Sequence, residues 1–481
     1  MRPIRVLPAL PLLLAMAGCM SMAPKYLAPT LPVPSAWPGK ASGQLEAAPA
    51  PQAASDISWQ DFYLDARLRK VLDLALQNNR DLRIASLNTE KARAYYRIQR
   101  AELFPALSAL GSVSRQKTSS SDATAETQYN VALGVSAWEL DFFGRVRSLK
   151  ARALEQYLAT EQARRSAQIS LLGETANAYL TLAADRESLK FARETLLSEE
   201  SSSKLIRRRF EVGVSSELDV NRAQISLETA REDAARFTSI VAQDENALNL
   251  LAGTTVPKEL LPEDLRSLNP LKDISPQLPA EVLTRRPDIL MAENLLKAAN
   301  ANIGAARAAF FPRITLTAGV GTASSELSGL FKSGSGTWAF SPQILLPIFD
   351  MGARRANLKA VKADREIALA QYEKAIQVAF REVADALARR STLEEQLAAH
   401  EALVQAMEGT HRLATARYQA GIDGYLSVLD AQRSLYAAQQ GLIALRRTKY
   451  ANMVTLYKVL GGGNGEGGTG TAPDAKLGSE V

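Results

Sequence analysis

The chain has 481 residues, of which 46 % are apolar and 6 % aromatic, with a formal charge of +6. That length allows two or three ordinary domains, and the interleaving of Lys and Arg with Asp and Glu along helical stretches indicates solvated helix faces, with no nucleic-acid partner. Cys19 is the only cysteine and excludes an intrachain disulfide. The two histidines, His400 and His411, are read as solvated and offer no cluster for a transition metal, so no cofactor is expected.

Residues 1–18 read as an export signal. Arg2 and Arg5 give a positive start, and Val6 to Ala17 is apolar but short of the ~20 residues that span a bilayer. Losing both arginines leaves a charge of 6 − 2 = +4. Met16-Ala17-Gly18-Cys19 resembles a bacterial lipobox, which implies cleavage before Cys19 and a covalent lipid on its thiol. Met16 stands where Leu is usual, and the alternative is an ordinary secretory signal with an incidental cysteine. By the same resemblance, Met20 in place of Asp favours the outer membrane and contact with its lipid. An acyl group anchors a chain without making it span.

Residues 19–64 read as an extended, Pro- and Ala-rich arm. A first repeat follows over 65–253. It opens with a helix from Asp65 to about Glu102, which Phe104-Pro105 ends. A strand pair occupies 106–140. Tyr129, Val131, Leu133, Val135 and Ala137 alternate with Asn130, Ala132, Gly134 and Ser136. One apolar face and one small polar face over ~10 residues fit the wall of a membrane β-barrel; a half-buried soluble hairpin is the alternative. A long helical hairpin covers 146–253, and its first arm of about 65 residues reaches roughly 100 Å. Ile169, Leu172, Ala176, Tyr179 and Ala183 form a coiled-coil seam on it.

Residues 254–279 carry five prolines and read as a linker. A second repeat spans 280–460, with a helix opened by Arg286-Pro-Asp288, a strand pair at 313–348 and a helical hairpin at 353–460. Ile314, Leu316, Ala318 and Val320 alternate with Thr315, Thr317, Gly319 and Gly321. Trp338 and Phe340 stand where an interfacial aromatic belt would. Residues 461–481 read as a disordered Gly-rich tail.

The two hairpin tips are twins. Arg209–Gln224 holds Gly213, Leu218 and Ala223-Gln224, and Arg417–Arg433 holds Gly421, Leu426 and Ala431-Gln432, an offset of 421 − 213 = 208. Glycine at Gly213, Gly421 and Gly424 lets the chain turn, and Asp423 is expected to cap the returning helix. Two Phe-Pro pairs, ending at Pro105 and Pro312, repeat at 207. Four strands cannot close a membrane barrel, which needs at least about eight, and an open sheet edge is not tolerated in lipid. If these strands span a membrane, several copies must share one barrel.

This order of duplicated strand pairs and helices, with the tips Val212-Gly213…Leu218-Asp219-Val220 and Tyr418…Gly421…Leu426…Leu429-Asp430-Ala431-Gln432-Arg433-Ser434-Leu435, resembles the outer membrane factors of bacterial tripartite efflux systems, the TolC and OprM relatives. The lipobox places it nearer the OprM-type branch. The resemblance covers nearly the whole mature chain. It implies a mixed α and β membrane fold: a trimeric, shared 12-stranded barrel, four strands per chain, continuous with a long periplasmic α-helical barrel. It also implies a passive exit duct for small molecules such as antibiotics, a homotrimer, and as partners a periplasmic adaptor and an inner-membrane RND-type transporter. Carried over by the same resemblance, a periplasmic gate falls at Tyr418, Leu426, Asp430 and Arg433, with Asp219 on the other hairpin; it is expected to stay closed until adaptor and pump engage.

The residues are compatible with that gate, since Leu426 and Asp430 share a helix face. Two bland alternatives stand beside it: Ser216-x-x-Asp219 reads as a capping box, and Asp430 with Arg433 as a solvated i,i+3 pair. No His-Glu-x-x-His, Gly-x-Ser-x-Gly or Gly-x₄-Gly-Lys pattern occurs, so no enzyme is expected. The second functional reading is a pore-less periplasmic coiled-coil scaffold lipoprotein.

Overall fold

The computed structural model describes residues 21–37, 57–117, 125–268, 271–273 and 280–463. Cys19 and residues 464–481 lie outside them. In chain order the helices are α1 (Trp59–Phe62), α2 (Ala66–Asn78), α3 (Arg80–Ala101), α4 (Arg145–Glu211), α5 (Glu217–Ala252), α6 (Pro287–Ala308), α7 (Ala353–Gln419) and α8 (Tyr425–Val459). The strands are β1 (Leu107–Gln116), β2 (Glu126–Glu139), β3 (Arg313–Ser324) and β4 (Gly336–Leu345). The duplication is visible in the lengths: α4 and α7 have 67 residues each, and α5 and α8 have 36 and 35. Among the described residues no helix is long and apolar enough to cross a membrane.

Contacts divide the chain into two units. The first holds residues up to Leu31, Ser86–Ala163 and Leu290–Ala375, and its centre is one antiparallel sheet of order β1-β2-β3-β4. The strand pairs of the two repeats are therefore joined through β2 and β3. Cross-strand partners put like chemistry on like faces. Ala109, Leu133, Val320 and Trp338 form one row, and Leu107, Val135, Ala318 and Phe340 the next. On the opposite face Ser108, Gly134, Gly319 and Ala339 align.

The alternation expected to run unbroken to Ala137 does not. The register shifts between Val135 and Trp138, Ala137 takes φ 51°, and its N–H donates to Thr317 Oγ1 at 3.1 Å. This is a β-bulge, with two residues opposing one. Its effect is to place Trp138 opposite Leu316, on the apolar face.

Where β2 leaves the sheet, the Glu139 carboxylate accepts from Arg145 at 2.8 and 2.7 Å and pairs with Arg313 at 2.7 Å. Asp141 then starts α4 by accepting from the N–H groups of Val146 (3.1 Å) and Arg147 (2.8 Å). Asp350 does the same for α7 with Gly352 (3.1 Å) and Arg354 (3.0 Å). A carboxylate at a helix start satisfies otherwise orphaned N–H groups and complements the dipole.

Residues 22–26 of the arm lie along α6. Arg307 donates to the Met22 carbonyl (3.0 Å), Asn300 to that of Pro24 (2.7 Å), and Glu293 accepts from the Tyr26 hydroxyl (3.1 Å). These three residues, at helical spacings of seven, form one stripe of α6.

The second unit is helical. The helix expected over Asp65–Glu102 is broken at Asn79, whose backbone is extended (φ −61°, ψ 131°). Its side chain accepts from the Leu82 N–H (3.0 Å) and donates to the Leu251 carbonyl (3.0 Å). An Asn that can bond its own backbone competes with helix continuation.

Phe62 stacks on Tyr457 and Tyr63 meets both rings edge-on in a buried group, with the Tyr457 hydroxyl on the Ile57 carbonyl at 2.7 Å. The linker is partly seated: the Leu260 and Pro262 carbonyls accept from Tyr179 (3.0 Å) and Arg186 (2.7 Å). Gly461 to Gly463, read as the start of a disordered tail, are buried, because they turn back against Tyr457 and Leu172. His400 also departs from expectation. It is half-buried and meets the Ala438 carbonyl at 2.9 Å, in a notch left open by Gly441.

Candidate gate at the helical hairpin tips

Both tips belong to the helical unit, and their backbones repeat bond for bond. In the first, the Gly213 N–H donates to Phe210 O and the Val214 N–H to Arg209 O, both at 2.9 Å. In the second, Gly421 donates to Tyr418 O at 3.0 Å and Ile422 to Arg417 O at 2.9 Å. Each is a Schellman motif, with glycine in the left-handed position at φ 79° and 75°. Gly424 serves differently: it is the extended N-cap of α8 at φ −74°.

The returning helices are started in different ways. Ser216 and Asp219 form a complete capping box on α5, with Oγ to Oδ2 at 2.7 Å, and Arg222 lies 3.7 Å from Asp219. So Asp219 is engaged in its own hairpin. The cap expected of Asp423 is absent, and α8 starts with no side-chain cap. Arg417 takes the Asp423 carboxylate instead, with bonds of 2.6 and 3.0 Å. Those bonds hold the Asp423 carboxyl below its usual range.

A small core ties the two hairpins together at the tips. Ile206 of α4, Ala223 of α5 and Tyr425, Val428 and Leu429 of α8 are buried together, with Val220, Ala414 and Tyr418 packed on them. Tyr418 meets the Tyr425 ring at 5.5 Å, and the Arg209 guanidinium lies 5.0 Å over the Tyr418 ring, a cation–π contact. Tyr418 is thus a packing residue, with no hydrogen bond to Asp430. Leu426 is 45 % exposed although Tyr425 beside it is 5 % exposed, because successive helix residues point about 100° apart. Asp430 and Arg433 are exposed and form no ion pair with each other or with another described residue.

Leu426, Asp430 and Arg433 therefore project from the chain uncommitted, whereas Tyr418 and Asp219 are held. Sequence reasoning missed Tyr425, Ile206 and Arg209. Arg209 had a legible signal, since it is the twin of Arg417. Burial pushes the Tyr425 hydroxyl up, helped by Glu199, Tyr418 and Asp219 and opposed by Arg433. Among the described residues there is no His, Cys, Asp and Glu cluster fit for a metal ion.

Comparison with known proteins places this architecture. The sequence pattern of the family described as outer membrane efflux protein matches residues 71–254 and 278–462, once per repeat. The antibiotic efflux pump outer membrane protein ArpC of Pseudomonas putida is 50 % identical over 454 residues, 93 % of each chain. The toluene efflux pump outer membrane protein TtgC of the same species is also 50 % identical over 93 % of each chain. Among solved structures, a membrane protein from Pseudomonas aeruginosa superposes with a TM-score of 0.86 at 43 % identity, covering 92 % of this chain and 100 % of that one. The open state of the Neisseria gonorrhoeae MtrE outer membrane channel gives 0.84 at 39 %, covering 92 % and 98 %.

Proposed function

Because the chain belongs to the outer membrane efflux protein family, and so is an outer-membrane efflux channel and no pore-less scaffold, we propose that three copies share one barrel of 3 × 4 = 12 strands and that the hairpin tips gate the duct. The observation that carries this is the four-stranded sheet itself. It has an apolar and a small polar face, and β1 and β4 each have a free edge. In lipid those edges must be paired, and the next copy supplies the complementary one. The apolar rows then face lipid and the Ser, Thr and Gly rows line the lumen.

At the tips, three copies bring three Leu426 side chains into a ring, with three Asp430 carboxylates one turn away. A leucine ring excludes ions by dewetting. The isolated duct is shut there and opens when a periplasmic adaptor and an inner-membrane RND-type transporter dock. The relatives are named for antibiotic and for toluene efflux, which supports small apolar or amphipathic cargo. Acylation at Cys19 adds a second anchor. Neither chemistry nor energy comes from this chain, which acts as a passive exit.

The test is Leu426→Ser, which replaces the apolar ring with hydroxyls, recorded in planar bilayers. Conductance should rise, and cells carrying the variant should become sensitive to large antibiotics. Wild-type conductance in an intact trimer would place the gate elsewhere.

A further inference from the structure

The arm is held on α6 by its backbone. Arg307 Nη1 donates to the Met22 carbonyl at 3.0 Å, and Asn300 to that of Pro24 at 2.7 Å. Between them Ala23 crosses Gly304 so closely that a Cβ on that glycine would stand 2.7 Å from the Ala23 nitrogen and 3.0 Å from its Cα. Glycine is the residue that permits such an approach. The arm runs antiparallel to α6, with Tyr26 bound at Glu293 and Met22 at Arg307. Cys19 stands three residues before Met22, and three extended residues span at most about 10 Å.

At that end of the arm is an apolar hollow of about 430 Å³, open on one side and lined by Met22, Arg307, Phe310, Phe311 and Leu358. Leu358 belongs to the packing of α6 on α7, against Ile303, Ala306 and Val361. Phe311 stacks on Phe143 at 4.9 Å yet stays 43 % exposed, and Phe310 is 38 % exposed. The polar groups of the lining are engaged. Arg307, its one charged residue, donates to Met22, and the N–H groups of Phe310 and Phe311 donate to the Arg307 and Ala308 carbonyls at 3.2 and 3.0 Å. What the hollow offers a ligand is therefore ring and methylene surface, and covering such surface with an apolar group is favourable.

Resting on the acylation of Cys19 put forward above, we propose that this hollow seats a long-chain fatty acyl group carried by that cysteine. The lipid is then a ligand of its own chain as well as an anchor. Two observations select this occupant over a free membrane lipid. Met22, which lines the hollow, is within three residues of Cys19, so the tethered chain meets the site at a high effective concentration. The hollow also lies where α6 passes into β3, the level at which the apolar rows of the sheet begin, with Ile314 opposite Ile344. The acyl chain reaches it without leaving the membrane boundary. Once seated, it bridges three elements, because Met22 comes from the arm, Phe310 from the end of α6 and Leu358 from α7.

The test takes the mature full-length protein in outer membranes of cells fed a diazirine-bearing fatty acid. The membranes are irradiated, and the digested protein is read by mass spectrometry. The expected product is a peptide-to-peptide link in which the acyl chain on Cys19 joins the N-terminal peptide to one carrying Phe310 or Leu358. Hollow residues joined to a free phospholipid instead would give the site to the bilayer and overturn the proposal. So would links from the Cys19 chain to bilayer lipid alone or to other faces of the protein. Gly304→Ala drives Ala23 off α6 while favouring the helix itself. It should lose the link while the acyl mass on Cys19 and the trimer mass keep their wild-type values, and an undiminished link would overturn the seat. Should that variant fail to assemble, Phe310→Gln, at a partly exposed position, reads the same loss at Leu358. An acylated N-terminal peptide with no link to the hollow removes the seat and leaves the anchor. A peptide with no acyl group removes both.

Discussion

Arg417 closes on Asp423 with two nearly parallel bonds, Nε to Oδ2 at 2.6 Å and Nη2 to Oδ1 at 3.0 Å, across the turn that the first hairpin secures with Ser216 and Asp219. The two repeats thus fix equivalent turns by different chemistry: a capping box in one, a bidentate clamp in the other. The clamp holds Asp423 below its usual range through the Arg417 bonds. A depressed carboxyl contributes stability above its unfolded pKa and loses it as pH falls through the folded one. Arg417→Ala should therefore speed hydrogen exchange at the Ile422 amide in neutral buffer, while Val214 in the first tip stays unchanged. Strong acid should erase the difference between variant and wild type. Equal exchange at neutral pH would mean that the clamp does not hold the turn.

The bulge in β2 makes a paired prediction. Two residues, Ser136 and Ala137, stand opposite Thr317. Deleting Ala137 removes the bulge yet leaves Trp138 on the apolar face, so trimers should form. Deleting Ala132, in the regular part of the strand, turns every side chain on one side of the deletion to the wrong face, so trimers should be lost. Native mass measurement in detergent separates the outcomes. Equal assembly by both variants would contradict the two-faced sheet.

Arg286 is the polar lock of the helical unit. Its side chain is 9 % exposed and reaches Asp288 at 2.7 Å and Glu382 at 2.9 Å, and it donates to the Val459 carbonyl at 2.7 Å. Arg286→Ala leaves all three acceptors short of a donor and should destabilise by on the order of 2–3 kcal/mol. Arg286→Lys should recover only part, because an ammonium carries its donors on one nitrogen and cannot span the three acceptors that Nε, Nη1 and Nη2 reach. Thermal unfolding followed by circular dichroism gives the comparison, and a lysine variant as stable as wild type would show that geometry is unimportant there.

Asp244 on α5 shares its surroundings with Asp185 on α4. Burial first, then the neighbouring Asp185 carboxyl, pushes its carboxyl up to about 7, with Arg447 pulling the other way. The unfolded chain holds that group near the ordinary value of about 3.9. Folded protein therefore binds the extra proton in between, and stability declines as pH climbs from about 4 to about 7, then levels off. Asp244→Asn should flatten that decline and raise the thermal midpoint in neutral buffer. An unchanged pH profile would show that Asp244 holds no extra proton in the folded protein.

The local patterns were enough to establish much of this protein. Alternation in Tyr129–Val135 and Ile314–Val320 identified two-faced strands, and the offset of 208 between Gly213 and Gly421 identified twin tips, because both signals depend only on neighbours in the chain. Only the tertiary structure decided which strands meet: the joining of β2 to β3 links residues about 180 apart, and nothing in either strand specifies its partner. The bulge at Ala137 depends on Thr317 across that same seam. At the tips, the sequence put Tyr425, Leu426 and Asp430 on one short helix start. Helical period says which of them share a face, but only the packing of Ile206 and Ala223 from the other hairpin decided that Tyr425 is buried and Leu426 left outside. Asp423 could satisfy its carboxylate with helix N–H groups or with a cation, and the closeness of Arg417 across the turn settled it.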